Sequence, residues 1–113
     1  MAYDEDLADR IRLIAAAEGA PLAEKRMFGG LGFLVGGNLA IAASGQGGVL
    51  VRVDPMESDD LVRTTTATVA VMRGRELRGW LRVASAGLDE DEQLAPWVRR
   101  GVAFAASLPA KQP

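Results

Sequence analysis

The sequence predicts a single small α+β domain in which an antiparallel sheet of about five strands carries its helices on one face. Three observations predict it: segments with helical periodicity near both ends, short glycine turns between strand-like runs, and no linker or internal repeat. Grouped strands joined by short turns pair antiparallel, and the flanking helices then cover one side of the sheet. The expected order is α-β-β-β-α-β-β-α in one domain, 1–113, with a core at about 4–109 and a tail at 110–113.

The first helix is predicted over about Asp4 to Glu18. Leu7 and Ile11 repeat at helical spacing, while charged residues between them can face water. The acidic residues at its start complement the positive end of the helix dipole. Gly19, followed by Pro21, ends the helix.

The stretch "KRMFGGLGFLVGGN" (25–38) fits either a phosphate-binding loop or a hairpin. A phosphate loop needs a helix after its glycines, but the β-like run "LAIAAS" follows here, and Val35 stands where the dinucleotide fingerprint needs its third glycine. A hairpin is therefore predicted, with a turn at Gly36 and Gly37 and with close backbone approach or a bulge at the earlier glycines, against a helix or Trp80. The structural glycine motif comprises Met27, Phe28, Gly29, Gly30, Gly32, Gly36 and Gly37, in which Met27 and Phe28 are assigned to the core.

A third strand, "VLVRV", and a short helix from Asp54 to Arg63 come next. Asp54 is a typical N-cap, and Pro55 suits the first helical position. β-Branched residues predict a fourth strand at Thr68–Met72. Gly74 marks the turn into a fifth strand, "LRGWLRVA".

Strict alternation along the fifth strand separates its side chains onto two faces of the sheet. Leu77, Leu81 and Val83 are predicted to point one way, and Arg78, Trp80 and Arg82 the other.

The C-terminal helix is predicted to start with Asp89 as N-cap and Glu92 at the third helical position. Large apolar residues then recur at helical spacing from Leu94 to Leu108, so this helix should form a main wall of the core. The acidic runs at 4–6 and 89–92 are explained by the helix dipole, and no metal site is expected there.

Composition narrows the classes of function. The chain has neither cysteine nor histidine, which excludes disulfides, thiolate nucleophiles, ordinary zinc sites and every Ser-His or Cys-His pair. A net charge of −2 gives no bulk attraction to nucleic acid, so such binding would need a local basic patch. The polar N-terminus is not a signal peptide, and the apolar runs are too short to span a bilayer. We expect a cytoplasmic protein without a cofactor.

The candidate interaction surface lies around the fifth strand. Two arginines flanking an indole can stack a base, clamp an anion or anchor a protein partner. In the structural alternative, Trp80 packs under a helix and the arginines pair with Glu76 or other carboxylates. The residues of this surface are Arg73, Arg75, Arg78, Trp80 and Arg82, and Arg52 is placed on a neighbouring strand.

Four segments together resemble the N-terminal domain of the TfoX/Sxy family of bacterial competence regulators: "RMFGGLGFLVGGNLA" (26–40), "LVRVDP" (50–55), "GRELRGWLRV" (74–83) and "WVRRGVAFAASLP" (97–109). The resemblance covers about Lys25 to Pro109 in matching order. It implies a fold and an association with transcription regulation, but no catalytic residues, since the family has no established ones. Longer members act alongside a cyclic-AMP receptor protein and carry a second, helical domain. This chain is expected to be a stand-alone member without that domain.

The function expected from residues and resemblance is non-catalytic regulation through protein contacts, with a homodimer formed at an unprotected sheet edge. The first alternative is a nucleic-acid accessory module that uses the Arg/Trp strand face. The second is a small-ligand or enzymatic cleft near Met27, Phe28 and Trp80. No membrane partner is expected.

Overall fold

Residues 3–27 and 29–111 are described by a computed structural model. They form three helices and one six-stranded sheet, which confirms the α+β prediction and adds a strand. In chain order the elements are α1 (Glu5–Ala17), β1 (Ala23–Met27), β2 (Gly30–Val35), β3 (Asn38–Ala43), β4 (Val49–Arg52), α2 (Pro55–Thr64), β5 (Thr68–Met72), β6 (Arg75–Val83), a 3₁₀ turn (Ser85–Gly87) and α3 (Asp91–Ser107).

The sheet has the order β1-β2-β3-β4-β6-β5, and all neighbouring strands are antiparallel. The first four strands form a meander, and α2 then carries the chain to β5 at the far edge. All three helices lie on one face: α3 crosses β3 and β4, α1 packs beside α3, and α2 lies against β6. No helix covers the opposite face in the part of the chain that is described.

The additional strand is β1, "AEKRM". Its residues are exposed except for half-buried Met27, so the apolar alternation typical of a half-buried strand is missing. The strand forms because its backbone pairs with β2, from Ala23 opposite Leu34 to Met27 opposite Gly30.

The glycine stretch forms the predicted hairpin. β2 pairs with β3 across a turn at Gly36 and Gly37, both with positive φ. Such φ values at both central residues suit the twist of a two-residue hairpin and favour glycine. No helix follows the glycines, so the arrangement of a phosphate loop is not present.

Close approach occurs at Gly30 and Gly32, although the neighbours differ from those predicted. A side chain on Gly30 would collide with the carbonyl oxygen of Ala43, and one on Gly32 would meet Met27 and Leu39. A side chain and a neighbouring strand therefore fill the space that was assigned to a helix or Trp80. Phe28 lies outside the described residues.

The main core lies between the sheet and the helices. Its largest fully buried side chains include Phe33, Ile11, Ile41, Leu81 and Leu94. α3 approaches β3 so closely at Gly101 that a Cβ there would collide with the carbonyl oxygen of Ala40. Glycine at this position sets the depth at which the helix lies on the sheet.

The predicted N-terminus of α3 was wrong by one residue. The N-cap is Glu90, whose backbone N–H donates to the side-chain oxygen of Gln93 at 2.9 Å. Asp89 and Glu92 therefore do not form the cap. The 3₁₀ turn at Ser85–Gly87 precedes this start, and the hydroxyl of Ser85 accepts a 3.0 Å hydrogen bond from the backbone N–H of Gly48.

None of the helices in the described ranges is both long and apolar enough to cross a membrane.

Candidate interaction surface

The face of the sheet opposite the helices carries four basic side chains and one tryptophan. We call it the cationic sheet face and define it by Lys25, Arg52, Arg75, Trp80 and Arg82. Directly opposed residues on neighbouring strands share a face, and so do residues two apart on one strand. The register therefore decides which strand residues belong to it.

The centre of the cationic sheet face is formed by β4 and β6. Arg52 lies opposite Trp80, and Leu50 lies opposite Arg82. Leu50 belongs to the apolar cluster on this face. Its two neighbours in the register, Arg82 across the ladder and Arg52 two residues along β4, are therefore on the same side.

The two edges of the sheet add one cation each. Lys25 on β1 lies opposite Gly32, which in turn lies opposite Ala42 of the apolar cluster. Arg75 on β6 lies opposite Met72, which packs against the same cluster. The basic side chains are thus distributed over both halves of the face.

Beneath these charges lies a second, smaller core. Leu39, Ala42, Leu50 and Ala70 are buried although no helix in the described residues covers them. The half-buried side chains of Met27, Met72 and Trp80 pack against the cluster and shield it. Trp80 therefore packs on the helix-free side of the sheet, not under a helix.

Trp80 is stacked with Arg52. The guanidinium carbon of Arg52, the last residue of β4, lies 5.0 Å from the centroid of the Trp80 ring and 5.6 Å from that of Phe104 on α3, so its charge is at the end of the cationic sheet face that α3 reaches. An arginine at this distance from an aromatic ring makes a favourable cation–π contact and keeps its charge. The residue that accompanies the indole is thus Arg52, on the neighbouring strand.

Arg82 is held by a polar contact on the same face. Its guanidinium group donates a 3.1 Å hydrogen bond to the hydroxyl of Ser44. The hydroxyl leaves the positive charge of Arg82 unneutralised.

A wide bulge in β6 changes the predicted alternation. Val69 lies opposite Leu81, but the next residue of β5, Ala70, lies opposite Leu77. Residues 78–80 of β6 therefore have no partner on β5 and form the bulge. Leu77 therefore lies on the cationic sheet face with Ala70, not with Leu81 as predicted. The bulge is fixed by tertiary contacts at Gly79, whose N–H donates to the hydroxyl of buried Ser58 on α2.

The bulge also takes Arg78 away from Trp80. Its guanidinium nitrogen lies 3.9 Å from a carboxylate oxygen of Asp59 on α2, so Arg78 is directed to the helix side. Arg73 occupies the β5–β6 turn with a φ of 52°, ahead of Gly74. Of the five residues predicted for the surface, the strand register brings Arg75, Trp80 and Arg82 together on one face.

Charge is segregated between the two layers of the molecule. Of the fifteen acidic residues only Glu24 and Glu76 belong to strands. Both lie on the helix side of the ladder, because Glu24 is opposite Phe33 and Glu76 is opposite Val71. The strand residues of the cationic sheet face thus include four cations and no carboxylate, although the net charge of the chain is −2.

Glu24 is engaged on its own side by Arg12 of α1. The guanidinium donates to both carboxylate oxygens, at 2.6 and 2.9 Å. These hydrogen bonds hold the pKa of Glu24 below its ordinary value. The carboxylate on β1 is therefore committed to α1 and does not offset the charge of Lys25.

The sequence profile of the TfoX N-terminal domain matches residues 15–105 of the 113 residues. The chain belongs to the TfoX N-terminal domain family. A comparison with curated proteins gave no match. All five residues of the cationic sheet face, and the glycine hairpin, lie inside the matched part of this TfoX N-terminal domain.

The TfoX N-terminal domain has little space for a ligand beside Met27. The cavity that Met27 lines with Gly30, Ser44, Leu50 and Arg82 holds about 10 Å³, which is roughly the volume that one water needs. A groove of about 360 Å³ lies instead between α1 and α3, and the ion pair of Glu18 and Arg99 borders it. No group of three or more acidic side chains placed to hold a metal ion occurs in residues 3–27 and 29–111.

Two residues of the cationic sheet face lie outside the five that were predicted for the surface: Arg52, which was expected on a neighbouring strand, and Lys25, which was not expected near it. The strand of Lys25 was not predicted, because "AEKRM" lacks an apolar pattern. The one available signal was the length of chain between α1 and β2, which leaves room for a strand that can pair with β2.

Proposed function

We propose that this TfoX N-terminal domain is a non-catalytic regulatory module that binds an acidic partner protein through its cationic sheet face. The observation that carries the proposal is that the strand residues of this face include four cations, spread from β1 to β6, and one tryptophan at its centre, but no carboxylate. Tryptophan and arginine are the side chains most enriched among strongly contributing interface residues. Membership of the TfoX family supports the regulatory role.

Lys25 and Arg26 provide a matched test of the surface. They are successive exposed residues of β1. Lys25 shares the face of Gly32, whereas Arg26 lies opposite Leu31 of the main core, on the helix side. Both substitutions, Lys25→Glu and Arg26→Glu, change the net charge equally, so a difference between them reports which side of the sheet is used.

The experiment is affinity purification from the native cell, followed by titration of the purified partner. We expect Lys25→Glu to weaken the affinity for the captured partner by about tenfold, because one reversed charge contact costs roughly 1.4 kcal/mol. Arg26→Glu should leave this affinity nearly unchanged. Equal retention by both variants, or equal loss, contradicts the proposal. Circular dichroism of each variant verifies that the fold is intact.

Trp80→Ala gives a second measure of the same surface. Because Trp80 is half-buried against the smaller core, its truncation should reduce stability as well as binding. A folded variant that has lost the partner supports the proposal. A folded variant that binds normally removes Trp80 from the interface.

The second candidate function is binding of single-stranded nucleic acid on the same face. The stacked pair of Arg52 and Trp80, beside unpaired cations, is the observation that favours it.

Neutralising four phosphates on a single strand gives a slope of roughly −3 in a plot of log binding constant against log salt concentration. The measurement is a fluorescence titration of mixed-sequence DNA at two salt concentrations, and Lys25→Glu should make the slope shallower by about one. Absence of binding in low salt rules out this candidate.

A further inference from the structure

We propose that two copies of the domain associate through the free edges of β5, side by side and antiparallel, to form a continuous twelve-stranded sheet. The inference does not depend on the proposed function, because it uses the edge of the sheet and not its cationic face. The partner is a second copy of this chain.

The two edges of the sheet differ in charge. β1, "AEKRM", has three charged residues at its centre, and Arg12 of α1 binds its Glu24. Charged residues at an edge strand are a common protection against pairing with another chain. β5, "TVAVM", contains no charged residue and ends the strand order on the other side. Only the β5 edge therefore lacks charged protection.

Val71 marks the unprotected edge. It is 54% exposed, and the other large apolar side chains with high exposure in the described residues, Leu13 at 71% and Met56 at 80%, are on helices. The bulged residues next to β5 belong to β6, so β5 keeps an uninterrupted backbone of five residues. Its outward N–H and C=O groups have no strand partner in the described chain.

The sequence of β5 is self-complementary in an antiparallel pair centred on Ala70. Val69 then lies opposite Val71 of the second copy, and Thr68 lies opposite Met72 of the second copy. Val69 and Val71 are both on the helix side of the sheet, while Thr68 and Met72 are both on the other. Each face of one sheet therefore continues into the same face of the other. Paired β-branched residues favour the contact, and no like charges are directly opposed.

The expected association is weak. Stable specific interfaces bury roughly 1,200–2,000 Å², and five strand residues per copy provide only part of that area. The dimer should therefore form at micromolar or higher concentration and dissociate on dilution. It would extend the cationic sheet face across both copies.

The first experiment is sedimentation equilibrium over a concentration series. We expect Val71→Lys to raise the dimer dissociation constant by about tenfold or more, because a lysine at an edge strand opposes pairing. Leu13→Lys is the matched control, since it introduces the same charge at an exposed apolar residue on α1, and it should leave the constant unchanged. A wild-type chain that stays monomeric at every concentration overturns the proposal, as does a dimer that Val71→Lys does not weaken.

A second experiment tests which residues of the two β5 strands lie opposite each other, and it does not rely on Val71→Lys. The chain has no cysteine, so introduced thiols have no competitor. Directly opposed Cβ atoms are about 5 Å apart and diagonal ones about 7–8 Å, and only the former approach disulfide geometry. Val69→Cys mixed with Val71→Cys should therefore yield the mixed disulfide in several-fold excess over the disulfide of either variant alone. No cross-linked product, or equal amounts of all three, overturns the pairing centred on Ala70.

Discussion

Gly101 determines how closely α3 lies on β3, because a Cβ at this residue would collide with a backbone carbonyl oxygen. Backbone atoms in a central strand have little freedom to move aside. The role of this glycine is therefore steric, and it opposes the usual preference for alanine in a helix.

Gly101→Ala should destabilise the fold by about 1–3 kcal/mol, although helix propensity alone predicts a gain of about 1 kcal/mol. The measurement is urea unfolding followed by circular dichroism. Ala103→Gly, at an exposed residue of the same helix, should cost about 1 kcal/mol from propensity. A more stable Gly101→Ala variant would show that α3 can move away from β3.

Glu24 offers a test through pH. Its pKa is lowered in the fold by the hydrogen bonds from Arg12, from an ordinary value of 4.5. A carboxyl group with a lowered folded-state pKa adds stability above its unfolded pKa and loses that contribution as the pH falls through the folded value. The two side chains are both more than a third exposed, so the contribution is at most about 1 kcal/mol.

Glu24→Gln should therefore be less stable than the wild type at pH 7, and the stabilities of the two proteins should become equal below pH 4. Thermal unfolding at a series of pH values measures the difference. A difference in melting temperature between the two proteins that stays constant from pH 7 to pH 3 would contradict an ionic contribution of Glu24. Arg26→Gln, two residues further along β1 and on the same face, controls for loss of a charge from β1.

Among the elements, α1 has the clearest start signal. Asp4 accepts a 3.1 Å hydrogen bond from the backbone N–H of Leu7, which satisfies one of the free donors at the helix N-terminus. Asp6 lies in the first turn and contributes through the helix dipole.

Asp4→Ala should lower the free energy of unfolding by about 1 kcal/mol, and Asp6→Ala by only about 0.3 kcal/mol. Chemical denaturation of the two variants measures both values. Equal effects would mean that Asp4 acts through its charge alone and not as a cap.

The elements that could be predicted from the sequence are those with a local cause. The periodicity of α1, the Asp54-Pro55 start of α2 and the β-branched run of β5 are such causes, and the structure confirms them. β1 could not be predicted, because it is an exposed strand whose only reason to form is the backbone of β2.

The candidate surface was predicted in part for a similar reason. Alternation placed Trp80 and Arg82 on one face, where the register has them. The bulge that redirects Arg78 depends on Gly79 meeting Ser58 of α2, a contact between residues distant in the chain. Local pattern cannot reveal such contacts. The role of these residues in binding stays a prediction.

At the scale of the whole molecule, stability should decrease from the centre of the sheet to its edges. Every residue of β3 is buried, and α3 packs across it, whereas β1 is exposed along most of its length. Local opening is easiest where few apolar contacts hold the backbone.

Hydrogen exchange followed by mass spectrometry should therefore find the slowest amides in β3 and the fastest strand amides in β1. Raising the protein concentration should slow exchange in β5 while leaving β1 unchanged, because only the β5 edge is expected to gain a partner. Concentration-dependent protection of β1 would instead show that the chain associates through the β1 edge of the sheet, which contradicts the proposal.

The opposed charges of the two layers also govern how the molecule settles on a solid support. Carboxylated sensor chips attract cations, so the domain should adsorb with its strands down and its acidic helices towards the buffer, even though it is a net anion. A binding assay on such a chip would hide the cationic sheet face. A tether attached to a helix would leave it accessible.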